Sequence, residues 1–445
     1  MVAKLFGMRP PSATSRVLDP GCGNGEFVHG ILRACAANSW PVPEIVGVEL
    51  DPSRAATARR IFQGERNVTI EEREFLTPGE RAFDFIVGNP PYASILGLSP
   101  TERLTYRAAY LTARGRFDLY VLFFEQALRL AKPGARLVFI TPEKFLYVQT
   151  AAPLRELLRS TQVEELSFAV ESTFAGRVTY PLITTVDVVP GSGRTRVIRR
   201  DGRMAMAALP AGGSWLPAVE GFAVASSRVC LADVALRVSC GVATGADALF
   251  VLPTAGIPYA LRRFAHPTIA GREILPSRQV VTESSLLAPY NDAGDLLSES
   301  DLGALGTFLS DPARKARLTA RSCVTHKPWY AYHDNFPVRD ILRPKLLCKD
   351  ITEHPFFVLD REGVLVPRHS VYYVVPADAA ALEPLAQYLN SDQATRWLRA
   401  HCQRAASGYL RMQSHVLKQL PLPPAFARFV GAAREIAPAL DLLPA

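Results

Sequence analysis

The segment FDFIVGNPPYAS, residues 83–94, ends an apolar run in a stiff, polar corner. Asn89 offers a side-chain carbonyl oxygen there, and Pro90 offers a backbone carbonyl oxygen at a fixed φ angle. Two such acceptors can take both N–H hydrogens of a ring-conjugated amino group, which frees the nitrogen lone pair for attack on an electrophilic carbon. Tyr92 adds an aromatic face on which a base can stack. These residues predict chemistry at the amino nitrogen of a nucleobase and not only a structural turn.

A glycine-rich turn lies upstream, in VLDPGCGNGEF at residues 17–27. Asp19 stands at the end of the predicted strand, and Gly21 and Gly23 let the backbone approach a ligand that a Cβ atom would exclude. The next predicted strand, EIVGVEL, brings Glu49 to its tip, where an acid can accept hydrogen bonds from both ribose hydroxyls of a nucleoside. The two features together predict a nucleoside cofactor site.

The elements around these motifs alternate between strands and helices. Strands are predicted for RVLDPG, EIVGVEL, NVTIEE, FDFIVGNPP, ARLVFITP, VEELSFAV and LITTVDVV, and helices for residues 26–37, 53–63, 118–130 and 152–160. This alternation predicts an α/β fold with a doubly wound, mostly parallel sheet. Ligand sites in such sheets lie at the carboxyl ends of the strands, so the corner and the glycine turn are expected at the same edge.

A stretch rich in Gly, Pro and Arg follows this pattern and divides the chain. Residues 1–190 are predicted to form the catalytic domain, residues 191–214 a linker, and residues 215–445 a second, mixed α+β domain. In the second domain, short strands are expected at LFVLP, PKLLCKD and VYYVVP, between proline-rich loops.

The composition is that of a globular protein, with 48% hydrophobic and 21% charged residues among 445, and the net charge of +8 favours an anionic partner. The seven cysteines lie far apart without a CxxC pair, which argues against disulfides and a zinc site, so no metal is expected. The N-terminus lacks the apolar core of a signal peptide, and no apolar run reaches the roughly 18 residues of a membrane span. A cytoplasmic protein without a membrane partner is expected.

The DxGxGxG spacing of the turn resembles motif I of the S-adenosylmethionine-dependent methyltransferases, and GVELDPS resembles the acidic motif that follows it. The resemblance implies a Rossmann-like methyltransferase fold with S-adenosyl-L-methionine as the cofactor. It puts the methionine portion against the glycine loop, the ribose on Glu49, and the adenine amino group on Glu74 of IEEREFLTP. The implied cofactor-binding residues are Asp19, Gly21, Cys22, Gly23, Glu49, Leu50, Glu74, Phe75 and Asn89.

The corner GNPPY resembles the NPPY motif of amino-methyltransferases, and its position after motif I resembles the gamma class of adenine-N6 DNA methyltransferases, which includes the Taq modification enzyme. This implies methyl transfer to the N6 amino group of an adenine flipped out of duplex DNA. The implied catalytic residues are Asn89, Pro90, Pro91 and Tyr92. STFAGRVTYPLITTVDVV resembles a later motif of the family, with Phe174 as the second stacking wall opposite Tyr92.

The segment FDLYVLFFEQALRLAKPGARLVFITPEKFLY, residues 117–147, resembles the helix and strand behind the catalytic loop of that family. Asp118, Tyr120 and Phe123 are therefore expected to start the helix and to pack, and not to take part in the chemistry.

The second domain carries a further resemblance, in residues 388–424 with YLNS, GYLRM and LKQLPLPP, and in GVATGADALFVLP. Both segments resemble specificity domains of Taq-type and type IIG restriction-modification enzymes. The resemblance implies duplex DNA as the partner, a monomeric enzyme, and a restriction-modification or related defence system in which a cognate endonuclease can take part. Arg404, Arg411 and Lys418 are candidates for contacts with DNA phosphates.

The resemblance has departures and leaves alternatives. Fifteen residues precede the first predicted strand, so a complete N-terminal cap over the cofactor and a fused nuclease are not expected. A protein-glutamine or RNA N-methyltransferase would use the same NPPY chemistry. A non-catalytic DNA-binding specificity subunit would keep the fold. The domain order and the LKQLPLPP tail favour DNA, and the intact Asn89 and Glu49 favour an enzyme.

Overall fold

The computed structural model describes residues 1–79, 82–169, 180–222, 229–405 and 409–430. The chain divides into two units, Met1–Val224 and Ala225–Ala445. Among the described residues, no helix is long and apolar enough to cross a membrane, and no three His, Cys, Asp or Glu side chains group as a metal site would require.

In the part of the first unit that the structure describes, nine strands form one sheet. Its strands are β1 Arg16–Pro20, β2 Glu44–Glu49, β3 Val68–Glu72, β4 Phe83–Gly88, β5 Ala131–Pro142, β6 Gln162–Phe168, β7 Pro181–Asp187, β8 Arg194–Ile198 and β9 Met204–Ala208. They lie in the order β3-β2-β1-β4-β5-β7-β6-β8-β9. Strands β1 to β5 run parallel, while β7 is antiparallel to both β5 and β6. The predicted doubly wound, mostly parallel sheet is confirmed.

Helices cover both faces of this sheet. They are α1 Val2–Phe6, α2 Glu26–Asn38, α3 Pro52–Ile61, α4 Pro100–Ala109, α5 Leu119–Leu130, α6 Ala152–Arg159 and α7 Leu216–Val219. Because successive side chains of a strand point to opposite faces, Val17 and Phe85 pack with α1, α2 and α3, whereas Leu18 and Ile86 pack with α5 and α6. All four helices predicted from the sequence are present, as α2, α3, α5 and α6, and α1, α4 and α7 are additional.

Residues 191–214, expected to be a linker, extend this sheet instead. Strand β8 pairs in parallel with β6, and β9 pairs antiparallel with β8. Val197 is fully buried, and so is Trp215, whose backbone N–H donates to the Leu146 carbonyl at 2.7 Å. A stretch rich in Gly and Arg can pair as strands at a sheet edge, because the ladder hydrogen bonds come from the backbone.

The described residues of the second unit form three smaller sheets. Its strands are β10 Ala235–Cys240, β11 Val251–Pro253, β12 Ala265–Ile269, β13 Ser284–Leu287, β14 Lys345–Lys349, β15 Ile351–Thr352, β16 Val358–Asp360, β17 Val366–Pro367, β18 Val371–Pro376, β19 Gln403–Arg404 and β20 Leu410–Arg411. The sheet orders are β10-β18-β14-β16, β11-β13-β12-β17 and β15-β20-β19. The strands expected at LFVLP, PKLLCKD and VYYVVP are present as β11, β14 and β18.

Short helices complete the second unit: α8 Leu231–Val234, α9 Asp247–Phe250, α10 Ala304–Leu309, α11 Pro312–Thr319, α12 Val338–Ile341, α13 Leu382–Leu389, α14 Asp392–His401 and α15 Ser414–Lys418. The YLNS and LPLPP motifs hold this unit together. The side chain of Asn390 accepts from the N–H of Phe357 and donates to its carbonyl, both at 2.9 Å, and the Tyr388 hydroxyl donates to the Pro421 carbonyl at 2.6 Å.

Candidate active site

The candidate site lies where the parallel strands β1, β2 and β4 end. In the register of the sheet, Asp19 lies opposite Gly47, and Glu49 lies opposite Glu72 of β3. Asn89 follows directly on the last residue of β4. The three predicted site residues therefore come to the same edge of one sheet, as the parallel arrangement requires.

The glycine loop is tied to the tip of β2. The N–H groups of Gly21 and Cys22 both donate to the carbonyl of Val48, at 2.8 and 2.9 Å. Gly21 has a φ of +79°, which lets the chain turn back over the strand end without a Cβ penalty. The N–H of Gly23 donates to Oε2 of Glu49 at 2.8 Å. One carboxylate thus fixes the loop that is predicted to approach the cofactor.

Glu49 is buried, with 8% of its surface exposed. Protein donors occupy only about half of the acceptor positions of its carboxylate. Oε2 accepts from Gly23, and Oε1 accepts from the N–H of Asp51 at 2.9 Å. A carboxylate has about four acceptor positions, so about two remain for hydroxyl groups of a ligand. This geometry fits the predicted ribose contact.

A cavity of about 440 Å³ opens beside Glu49. The rings of Phe75 and Phe123 meet in its wall, with centroids 4.8 Å apart and planes inclined by 40°. The cavity is lined by Gly21, Val48, Glu49, Leu50, Asp51, Arg54, Arg73, Glu74, Phe75, Leu76, Asn89, Pro91, Leu119 and Phe123. Aromatic rings beside an acid with unused acceptor positions suit a nucleoside.

Six of the predicted cofactor residues line this cavity: Gly21, Glu49, Leu50, Glu74, Phe75 and Asn89. The expectation for Phe123, that it only packs, was incomplete, because its ring also faces the cavity. Leu119 lines it as well, one helical turn earlier on α5. Residues four apart on a helix lie on the same face. The spacing of Leu119 and Phe123 at the start of a helix beside the strand ends could therefore have indicated from the sequence that both face the site.

Asp19 lies beneath the loop and is fully buried. Neither of its carboxylate oxygens has a hydrogen-bond partner within the described ranges. Burial, and secondarily the charge of Glu49, raise the pKa of Asp19 well above its usual range. Because a buried carboxylate without a partner is unfavourable, Asp19 is a position where a cationic or hydrogen-bonding group of a ligand would be stabilised.

Cys22 is buried in the same loop, and its side chain lies outside the cavity lining. Burial, followed by the charges of Asp19 and Glu49, raises the pKa of the Cys22 thiol to about 12. The thiol is therefore neutral at physiological pH and is not a nucleophile. Its contribution to the site comes from the backbone N–H that binds Val48.

Glu74 follows β3 and is partly buried at the cavity wall. Its Oε1 accepts from the N–H of Leu76 at 2.8 Å, which orders the turn between them. Burial and the Glu74 carboxylate together raise the pKa of the nearby Tyr106 to about 12. The predicted contact with an adenine amino group is compatible with this position and stays a prediction.

The four residues of the NPPY corner, which follows β4, lie in different environments. Asn89 and Pro91 are exposed, Pro90 is buried, and Tyr92 is partly buried. The Tyr92 hydroxyl donates to the Ile140 carbonyl at 3.3 Å, and burial raises the pKa of Tyr92. The corner therefore presents the Asn89 side chain outward at the strand tip while the proline and tyrosine hold it.

The chain just before α5 fixes the segment that follows the corner. The N–H of Leu119 donates to the Ala93 carbonyl at 2.8 Å, and the N–H of Ile95 donates to the Phe117 carbonyl at 3.0 Å. These two bonds tie the segment after the corner to the start of α5. Phe174, the predicted second stacking wall, lies outside the described residues.

The predicted phosphate contacts lie in the second unit. Arg404 and Arg411 belong to the three-stranded sheet, where Arg411 pairs with Gln403 and Arg404 with Leu410. Arg411 is exposed, and its Nε lies 3.8 Å from a carboxylate oxygen of Asp350. Lys418, also exposed, is the last residue of α15. Their contact with DNA stays a prediction.

The sheet order and the cavity at its edge define the first unit as a doubly wound α/β fold whose site suits a nucleoside cofactor. Residues 45–174 match the Eco57I restriction-modification methylase family, and residues 308–422 match the TaqI-like C-terminal specificity domain. The chain is thus a type II restriction-modification methyltransferase with a specificity domain, as the sequence resemblance predicted. This assignment supports S-adenosylmethionine as the cofactor.

Several relatives resemble the chain over most of its length. It is 26% identical over 474 residues to the type II methyltransferase M.PaeR7I of Pseudomonas aeruginosa, covering 93% of this chain and 82% of the relative. It is 23% identical over 481 residues to M.XhoI of Xanthomonas vasicola, covering 92% and 86%. The type IIL restriction-modification enzyme MmeI, solved in complex with DNA, shares the fold with a TM-score of 0.68 at 13% identity, covering 97% of this chain and 66% of that one.

Proposed function

We propose that the chain transfers a methyl group from S-adenosylmethionine to the N6 amino group of an adenine flipped out of duplex DNA. The observation that carries the proposal is the position of the NPPY corner: Asn89 lines the same cavity as Glu49. An acceptor for the amino group of a substrate base and an acceptor for the ribose of a cofactor thus lie at one strand edge. The first unit is assigned the chemistry, and the second is assigned recognition of the DNA sequence.

The cofactor would occupy the cavity beside the glycine loop. When bound, S-adenosylmethionine supplies an electrophilic methyl group on its sulfonium. Glu49 would accept from the ribose hydroxyls, and Phe75 and Phe123 would enclose the adenine ring. Neither carboxylate oxygen of Asp19 has a partner in the described part of the chain. The ammonium group in the methionine portion of the cofactor would supply the missing cation.

The corner would prepare the substrate amino group. The Asn89 side-chain carbonyl and the Pro90 backbone carbonyl would each accept one N–H hydrogen of the adenine amino group. Two acceptors favour a pyramidal nitrogen and free its lone pair for attack. No general base is needed before attack, because the ammonium formed on the base loses its proton readily.

A base within a duplex cannot reach this corner, so the adenine must be extruded at a cost of a few kcal/mol. The aromatic face of Tyr92 would offset part of that cost, since stacking on an aromatic ring is worth about 1–3 kcal/mol. Specific contacts from the second unit would select the site. We also propose that the enzyme acts as a cytoplasmic monomer alongside a cognate restriction endonuclease, a pairing that its restriction-modification relatives support.

The test is methyl transfer from labelled S-adenosylmethionine to DNA that lacks adenine methylation, with digestion of the product to nucleosides. We expect N6-methyladenine. A chain that leaves this DNA unmodified but methylates RNA or the glutamine of a release factor would contradict the proposal. Long-read sequencing of DNA from cells that express the protein would identify the modified base and its sequence context together.

The variant Asn89→Ala separates catalysis from cofactor binding. Loss of one positioned polar group at a reacting centre typically lowers turnover by about 10²–10³-fold, and we expect at least that loss. Asn38→Ala, which removes an exposed amide on α2, is the matched control and should keep full activity. If Asn89→Ala methylates DNA at the wild-type rate, Asn89 has no part in the chemistry.

A further inference from the structure

A short basic turn lies beside the catalytic corner. It consists of residues 114–116, Arg-Gly-Arg, between α4 and α5. Asp118, two residues beyond it, forms an isolated β-bridge with Ser94, which follows Tyr92 by two residues. The backbone therefore holds the basic turn next to the segment that leaves the NPPY corner.

The turn has a defined conformation although its arginines are exposed. Gly115 has a φ of +58°, and a Cβ there would lie 2.8 Å from Cγ2 of Thr150. On the other side, buried Thr112 donates from its N–H and hydroxyl to Oε2 of Glu125, at 2.9 and 2.8 Å. Glu125 is on α5, so the base of the turn is anchored to the helix that lines the cofactor cavity.

The carboxylates near the turn are already engaged, and Glu125 pairs with Arg129 besides binding Thr112. Residues 89–118 contain two carboxylates and four arginines. Glu102 forms a capping box with Ser99 at the start of α4. Asp118 accepts from Nζ of Lys144 at 3.3 Å. None of these acids neutralises the basic turn.

The four arginines of residues 89–118 fall into two pairs. Arg103 donates to the carbonyls of Leu98 and Leu96, and Arg107 is positioned to donate to that of Gly115. Arg114 and Arg116, by contrast, are exposed, and neither has an ion pair or a side-chain hydrogen bond with any other described residue. Two cations without partners among the described residues are thus held on an anchored turn next to the segment that leaves the NPPY corner.

We propose that Arg114 and Arg116 bind the sugar–phosphate backbone of the DNA next to the catalytic corner. The inference rests on the proposed function, because it takes duplex DNA as the substrate. Guanidinium groups pair with phosphate oxygens through a planar fork of N–H donors, and such contacts position a duplex without reading its sequence. The basic turn would add to the second unit's contacts and hold the strand from which the adenine leaves.

The experiment measures binding of the full chain to a fluorescein-labelled DNA duplex at several NaCl concentrations. Each phosphate contact contributes about 0.9 to the slope of log affinity against log salt. The double variant Arg114→Ala with Arg116→Ala should make that slope shallower by about 1.8. A double lysine variant should keep most of the slope, since lysine retains the charge.

The matched control is Arg60→Ala with Arg66→Ala, which removes two exposed arginines of the same unit that also lack ion pairs among the described residues. We expect an unchanged slope for this control. Binding of S-adenosylhomocysteine by all variants reports intact folding. An unchanged slope for the double alanine variant of the turn, or an equal decrease in the control, would overturn the inference.

This readout separates the inference from the proposed function, because it needs no methyl transfer. If the double alanine variant has a shallower slope but the wild type never methylates DNA, the phosphate contacts are supported and the proposed reaction is rejected. Methylation of DNA by the wild type, together with an unchanged slope in the variant, would reject only the role of the basic turn.

Discussion

The substitution Glu49→Gln tests how the cofactor site is built. The carboxylate accepts from the N–H groups of Gly23 and Asp51, at 2.8 and 2.9 Å, and keeps acceptor positions that face the cavity. Glutamine has nearly the same shape but offers one carbonyl oxygen in place of two. One of the two N–H groups, or the ligand, must then face an NH₂ group that can only donate.

The expected loss follows from these bonds. A hydrogen bond to a charged acceptor contributes about 1.5–3 kcal/mol, and at least one is lost on substitution. Since 1.4 kcal/mol is tenfold in affinity, Kd for the cofactor should rise by about 10- to 150-fold. Turnover at saturating cofactor should fall less, because Glu49 does not face the reacting amino group.

The assay is isothermal titration of the full chain with S-adenosylhomocysteine. Glu72→Gln is the matched control, because Glu72 lies opposite Glu49 in the register of β2 and β3, but its side chain is exposed and pairs with Arg59. The control should bind like the wild type. If Glu49→Gln binds within twofold of the wild type, Glu49 does not hold the ribose, and the proposed position of the cofactor is wrong.

Three further variants test the strand end and the loop. The pKa of Asp19 is raised by burial, so its favourable contribution to stability is complete below about pH 4 and is lost as the pH rises towards the raised pKa. The asparagine of Asp19→Asn does not titrate, so the variant should gain stability relative to the wild type as the pH rises from 5 to 8. Thermal unfolding without ligand measures this. A difference in melting temperature between variant and wild type that does not grow with pH refutes the expectation. Gly25→Ala forces alanine to a φ of +89° and brings its Cβ to 2.2 Å from the Phe62 ring. Gly25→Ala should lower the free energy of unfolding by about 1–2 kcal/mol for the left-handed conformation, and by a further amount for the clash. Gly23→Ala has nothing within 4 Å of the added Cβ, so it should lose only the conformational contribution. Urea unfolding measures both, and equal losses would show that Phe62 moves aside freely.

Local features of the sequence were sufficient to predict the sheet and the positions of the main motifs. Apolar runs of strand length alternate with amphipathic helical stretches, and both periods are properties of neighbouring residues. The glycine turn and the NPPY corner follow such runs directly. Once the strands are parallel, Asp19, Glu49 and Asn89 must come to the same edge, so this part of the site could be predicted without coordinates.

Other features depend on contacts between residues far apart in the chain. Strands β8 and β9 join the sheet because β6 offers an open edge, and the Gly- and Arg-rich sequence of residues 191–214 does not indicate this. The ring of Phe123 faces the cavity because α5 begins beside the strand ends. The sequence around Gly115 does not indicate that Thr150, 35 residues further along the chain, packs against it.

The sequence by itself determined the type of fold, the two ligand-facing turns and the chemistry that Asn89 and Pro90 can do, because each depends on residue type and short spacing. Only the tertiary structure decided that Asp19 is buried without a partner among the described residues, that Glu49 keeps two acceptor positions, and that a basic turn lies beside the corner. Burial and pairing are sums over distant neighbours, and these are brought together only when the chain folds.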